Sequence, residues 1–236
     1  MGNLSDTEQK SHFLAAVLHH GQICFSTERI IVLEEVAGKF IELLKQKAAG
    51  FAPGSGVSEA VVRKAYERLV EAEEKGARFL CGGPKYATHA GLVPTILTGV
   101  TEDMSIFDTE TFGPSVSLYI ARDEEHAIEL ANNSAFGLNG SIHTSSMYRA
   151  TAVARRLEFG QIHVNSLTTY NHGTETPPLN SELRINLTAL LASFPIGGTK
   201  SSGWGRNNSR FGIEEFLQLK SISYNMDRTP VNFGQK

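Results

Sequence analysis

The stretch "HHGQICFSTER", residues 19–29, sets Cys24, one of the chain's two cysteines, behind a Gly-Gln pair. A free thiol, with a pKa of about 8.5, is ionised only to roughly a few per cent at neutral pH, yet becomes a strong nucleophile where a helix terminus or a base favours the thiolate. Gly21 lets the backbone turn sharply, which would bring the Cys24 N–H within reach of a bound oxyanion. Between Ile23 and Phe25 the same cysteine also reads as a small buried hydrophobe. His12, His19 and His20 offer a zinc site, since His20 and Cys24 are four apart, although Gly21 and Gln22 interrupt the helix such a pair would share. A cysteine hydrolase with a histidine base is a further option. Cys81, in "RFLCGG" at the end of a predicted strand, has no motif around it and reads as structural.

Composition narrows the classes. The chain has 236 residues, 20% charged and 41% hydrophobic, with a net charge of -3. That suits one main domain and carries neither a disorder signature nor a nucleic-acid footprint, so a small molecule or another protein is the expected partner. Two cysteines are too few for a disulfide framework, and "MGNLSDTEQK" holds no charged region followed by an apolar core. No apolar run is long enough to span a bilayer, and a cytoplasmic location without membrane attachment is expected.

The elements that must position Cys24 alternate between strand and helix. "RIIVLE" predicts a strand feeding a helix with Val36, Phe40, Leu43 and Leu44 at helical spacing. Ser58 can cap a second helix whose face carries Val62, Ala65, Leu69 and Ala72, with Gly76 placed to end it. "RFLC", "LVPTIL" and "SVSLYIA" predict strands, and Asp123 opens a helix burying Ala127, Ile128 and Ala131. "LNGSIHT" follows as a strand, then a helix from Met147 that stops at Gly160, then the strand "QIHVN". This order predicts an α/β fold with a mainly parallel sheet flanked by helices, its function gathered at the loops beyond the strands' carboxyl ends. "LQLKSISYNM" alternates apolar and polar residues and predicts a terminal strand with an edge seeking a partner. Residues 171–193 fit nothing around them: adjacent prolines and little charge in a long loop predict an intron read into the message.

Taken together, "GQICFSTERIIV", "ETFGPSVSLY", "NNSAFGLNGSIHT", "RRLEFGQIHVN" and "FPIGGTKSSGWGRNNSRFGIEEF" resemble, in order, the motifs of the aldehyde dehydrogenase superfamily. Residues 54–84 and Trp204 are most similar to its fungal salicylaldehyde or vanillin dehydrogenase branch. The resemblance covers about residues 11–224 and implies a catalytic domain over 1–216, with an atypical insertion at 171–193, and an oligomerisation strand and tail over 217–236.

The resemblance implies that Cys24 attacks an aldehyde to give a thiohemiacetal, then a thioester, with NAD or NADP as hydride acceptor and the Cys24 N–H holding the alkoxide. Glu110 would bind the nicotinamide ribose hydroxyls, with Phe112 packed beside that ribose; the plainer reading of Glu110 is a solvated surface acid. Ile196 stands where the family usually has an aromatic pocket residue. The implied partners are a small aldehyde, aromatic in that branch, and either a second copy of the chain or a full-length relative, through apolar faces a lone catalytic half would expose.

The cofactor site is incomplete by the same comparison. Gly54-Ser-Gly56 lacks the third glycine of a dinucleotide turn, Gly203-Trp-Gly205 belongs to the closing motif, and the family's cofactor domain lies ahead of the cysteine. The family's glutamate base and oxyanion-hole asparagine also precede the cysteine. Losing them costs roughly 10² to 10⁴ and roughly 10² to 10³ in rate, so turnover by this chain alone should be negligible. A non-catalytic interaction subunit and a cofactor-independent cysteine esterase are the alternatives.

Overall fold

A computed structural model describes residues 13–168 and 194–224. β1 (Arg29–Leu33) runs directly into α1 (Glu34–Ala48), and α2 (Glu59–Glu74) follows. The Ser58 side chain accepts the Val61 N–H at the start of α2, as expected. At its end Gly76 takes φ +100°, its N–H bonds to the Glu73 carbonyl and the Ala77 N–H to that of Ala72, which satisfies the last turn's carbonyls.

Next come β2 (Arg78–Cys81), the hairpin of β3 (Tyr86–Thr88) and β4 (Gly91–Leu92), and β5 (Thr95–Thr98). The predicted strand "LVPTIL" is thus two pieces, because Pro94 has no N–H to give a ladder and breaks the run. β6 (Ser115–Ala121) leads to α3 (Glu124–Asn132), whose first turn Asp123 caps by accepting the His126 N–H at 2.8 Å. β7 (Phe136–Gly137), β8 (Asn139–Ile142), α4 (Met147–Ala154), β9 (Gln161–Val164), β10 (Thr199–Lys200) and α5 (Ser209–Glu214) complete the described chain.

The main sheet has the order β1-β6-β5-β2; the first three strands are parallel and β2 is antiparallel to β5. Because side chains alternate across a strand, β5 sends Ile96 to one face and Leu97 to the other, both fully buried. Ile96 joins Ile30, Val32, Val116 and Leu118 under α1 (Ala37, Leu44, Ala48) and Phe13. Leu97 joins Val62, Ala65, Leu69 and Ala72 of α2. Burying a side chain such as Leu69 stabilises by about 1.5–3 kcal/mol, so the two helices clamp the sheet from both sides. β8 and β9 form a separate parallel pair, and β7 pairs with β10 antiparallel.

One expectation needs correction. α4 stops at Ala154, short of Gly160; that glycine instead lets two backbones meet, since a Cβ on it would lie 1.8 Å from the Gly197 carbonyl oxygen. Residues 217–224, the described part of the expected partner-seeking strand, pair with no described strand of this chain, and Leu219 is fully exposed at 103%. The insertion at 171–193 lies outside the described residues. Among the described residues no helix is long and apolar enough to cross a membrane.

Candidate active site

The loop carrying Cys24 is held in an unusual backbone path. Residues 13–17 are helical and pass into a 3-10 turn, Leu18–Gly21, where His19, His20 and Gly21 take φ of 49°, 62° and 74°. Left-handed angles cost of order 1–2 kcal/mol at each non-glycine residue, so the turn needs anchors. Three are present. The buried His20 ring accepts the Leu92 N–H on Nε2 at 3.3 Å, which requires a neutral ring, and burial pushes its pKa down. Gln22 donates from Nε2 to the His19 carbonyl at 2.9 Å and accepts the Val57 N–H on Oε1 at 2.8 Å, tying the loop to the entry of α2. Gly21 packs on Gly113, where a Cβ would stand 2.0 Å from the carbonyl oxygen.

After this turn the Cys24 side chain is exposed. The Ser26 N–H bonds to the Ile23 carbonyl at 2.8 Å and the Thr27 N–H to that of Ala15, so Cys24 sits inside a closed turn. Its own N–H has no hydrogen-bond partner among the described residues and is available to a ligand. The buried-filler reading of Cys24 is therefore wrong, because the left-handed turn lifts the side chain out of the core. Cys81 is half-buried, its thiol directed at the Pro94 carbonyl and pushed up in pKa by that burial.

Glu28 and Arg29 lock this loop to the one carrying Glu110. Glu28 accepts the Thr111 N–H at 2.9 Å, the Thr111 hydroxyl and the Phe112 N–H. Burial raises its pKa, and these hydrogen bonds oppose the rise. Arg29 donates to the Asn133 carbonyl at 2.7 Å and to the Phe107 carbonyl, pairs with Asp108 at 3.6 Å, and covers the Phe107 ring at 4.5 Å. Both residues stand inside the motif "GQICFSTERIIV", but nothing in the sequence assigns either of them a role.

Cys24 and Glu110 line one cavity of about 480 Å³, which also extends along β1 and β8. Of the other expected site residues, Phe112 is half-buried behind this wall with φ 47°, and Ile196 stands outside it, bridged to Asn207. The loops of Cys24 and Glu110 precede β1 and β6, which are adjacent and parallel. Both loops therefore lie at the strands' amino ends, not at the carboxyl ends where the topology rule placed function. Among the described residues no three His, Cys, Asp or Glu side chains gather closely enough to hold a metal ion, and His12 lies outside them.

The aldehyde dehydrogenase family profile matches residues 5–177. The chain belongs to the aldehyde dehydrogenase family. It is 34% identical over 229 residues to a salicylaldehyde dehydrogenase of Pseudomonas putida, covering 92% of this chain and 43% of that one. A succinate-semialdehyde dehydrogenase [NADP(+)] of Deinococcus radiodurans is 32% identical, with 92% and 44% covered. In three dimensions the chain is similar to a salicylaldehyde dehydrogenase from Pseudomonas putida G7 complexed with salicylaldehyde (TM-score 0.81, 30% identity), covering 97% of this chain and 46% of that one. It thus spans less than half the length of the family members it matches.

Proposed function

We propose that the chain carries the nucleophilic site of an aldehyde oxidation, with Cys24 as the attacking group and an aromatic aldehyde such as salicylaldehyde as substrate. The observation that carries this reading is the shared cavity of Cys24 and Glu110. Attack of the Cys24 thiolate on the aldehyde carbon forms a C–S bond and an alkoxide, which the unpartnered Cys24 N–H can stabilise as it develops. Oxidation of that adduct leaves an acyl thioester on Cys24, and water releases the carboxylic acid. NAD(P)+, when bound, supplies the hydride acceptor.

The residues present fit one end of such a cofactor. Glu110 offers an exposed carboxylate to the ribose hydroxyls in the cavity that Cys24 also lines. The diphosphate end has no cradle among the described residues: α1 leaves β1 with Glu34 and Glu35 in its first turn, which repels an anion. Gly56 serves packing, since a Cβ on it would lie 2.3 Å from the Val62 side chain.

Alkylation tests the reading. Iodoacetamide should modify Cys24 at least about tenfold faster than the half-buried Cys81, and salicylaldehyde should slow Cys24 alone. Equal rates at both cysteines, or no protection by salicylaldehyde, would overturn it. Since an exposed thiol beside a free N–H needs no dinucleotide to cleave an activated ester, p-nitrophenyl acetate hydrolysis lost in Cys24→Ser would favour the esterase reading. NADH formation from salicylaldehyde favours the oxidation.

A further inference from the structure

Of the three anchors that hold the turn ahead of Cys24, only the His20 ring can change charge. His19, His20 and Gly21 take left-handed angles in succession, so the turn persists only while packing and hydrogen bonds offset its strain. The His20 side chain is 2% exposed. Its ring lies against the 54–56 segment, where a Cβ on Gly54 would stand 3.7 Å from Nδ1 and one on Gly56 3.5 Å from Cδ2. Its Nε2 accepts the Leu92 N–H of β4 at 3.3 Å, and the Gly56 N–H bonds to the Ala90 carbonyl at 2.6 Å, which joins these walls into one socket.

The socket has no place for a second ring proton. An imidazole that accepts on Nε2 carries its one proton on Nδ1, and that buried nitrogen has no hydrogen-bond partner among the described residues. Protonation at Nε2 would set an N–H against the Leu92 N–H, donor against donor, and would leave a buried cation. The surrounding elements bring no counter-charge to it among the described residues. The 54–56 segment is Gly-Ser-Gly, β4 is Gly91 and Leu92, residues 13–17 are apolar, and α2 reaches Gly56 with Val62. Glu59, Arg63 and Lys64 on α2, Lys85 and His89 about the hairpin, His19 on the turn and Glu110 on the loop behind Gly21 are all exposed. Burial alone lowers the His20 pKa.

We propose that His20 is a positioning residue for Cys24: its neutral ring pins the turn that lifts the thiol out of the core, and a proton taken from solvent onto Nε2 frees the turn and withdraws the thiol. The inference rests on the reading of Cys24 as the nucleophile. Once the turn is freed, nothing holds outward a small side chain flanked by Ile23 and Phe25, and the unpartnered Cys24 N–H loses its fixed place beside it. Reactivity then falls in acid by more than the loss of thiolate accounts for.

The test follows iodoacetamide alkylation of Cys24 in the full chain between about pH 4.5 and 7.5, while NMR titrates the His20 ring. Each rate is divided by that of free glutathione in the same buffer, which cancels the ordinary change in thiolate. The ratio should be flat above the His20 midpoint and fall at least about fivefold across it, the low end of a typical coupling between two sites. His20→Gln, whose amide oxygen can accept the Leu92 N–H without titrating, should keep the ratio flat through the same range. A flat ratio in the parent, a fall displaced from the His20 midpoint by more than about half a pH unit, a fall retained in His20→Gln, or unfolding of the whole chain at that midpoint would overturn the proposal. If circular dichroism shows His20→Gln misfolded, the coincidence of the two midpoints in the parent decides. At neutral pH the nucleophile is judged by Cys24 outpacing Cys81 and by salicylaldehyde protection. A chain that passes there and shows no fall in acid keeps its nucleophile and loses the latch, so the two readings fail separately.

Discussion

Gly21 lies so close to Gly113 that the loop carrying the thiol and the loop carrying Glu110 are interlocked through their glycines. A Cβ on Gly21 would meet the Gly113 carbonyl oxygen at 2.0 Å, and a Cβ on Gly113 would meet that of Ala65 at 2.6 Å. Gly21 also sits at φ +74°. Gly21→Ala is therefore expected to cost more than about 2 kcal/mol in urea unfolding and to change the Cys24 alkylation rate, because backbone has to move to admit the methyl group. Stability within about 0.5 kcal/mol of the parent would contradict the interlock.

His20 makes stability depend on pH in a defined direction. Its Nε2 accepts a hydrogen bond and burial lowers its folded pKa, so below the ordinary histidine value of 6.5 the unfolded chain takes up a proton that the folded chain resists. Stability present above 6.5 is lost as pH falls towards the folded value. His163, also lowered by burial, adds to the same slope. In His20→Gln, whose amide oxygen can still accept the Leu92 N–H, urea midpoints between pH 5 and 7.5 should vary less than in the parent. An unchanged slope would remove His20 as a cause.

Glu28 acts with the opposite sign. Its folded pKa is raised above 4.5 by burial, so its contribution is fully present below 4.5 and is lost as pH rises through the folded value. Glu28→Gln should flatten that loss. Glu28→Ala leaves the Thr111 and Phe112 N–H groups without their acceptor and is expected to cost about 1–3 kcal/mol, with faster exchange at those two amides. Unaltered exchange there would show that the carboxylate does not hold the Glu110 loop.

Arg29→Lys tests whether shape or charge matters at the head of β1. The guanidinium reaches several carbonyls and the Phe107 ring at once, which a lysine ammonium cannot reproduce. A loss of about 1–3 kcal/mol is expected in thermal or urea unfolding, and a loss below about 0.5 kcal/mol would mean that charge alone suffices.

Much of this architecture was legible in the residues because the local rules act within a few positions. Ser58, Asp123 and Gly76 mark helix ends through hydrogen bonds to their own turns, and the β-branched runs of β1 and β6 read as buried parallel strands. The site was legible in part: Cys24 and Glu110 stood in motifs, and the structure brings both to one cavity. Glu28, Arg29 and Gly113 were missed in their roles, because their partners lie far along the chain and only the β1–β6 pairing brings them near. The alternating tail over 217–224 pairs with no described strand of this chain, because alternation describes what a strand would bury and not which neighbour supplies its ladder.

Adjacent parallel strands also act as a ruler. Neighbouring strands sit about 4.8 Å apart, a distance fixed by main-chain hydrogen bonds. Because β1 and β6 are such neighbours, the separation of the loops they draw in is set by backbone geometry, not by the side chains of the cavity wall. Substitutions lining that wall can then reshape which molecules enter while leaving the spacing of the two loops alone, so selectivity and reactivity can drift independently over evolutionary time.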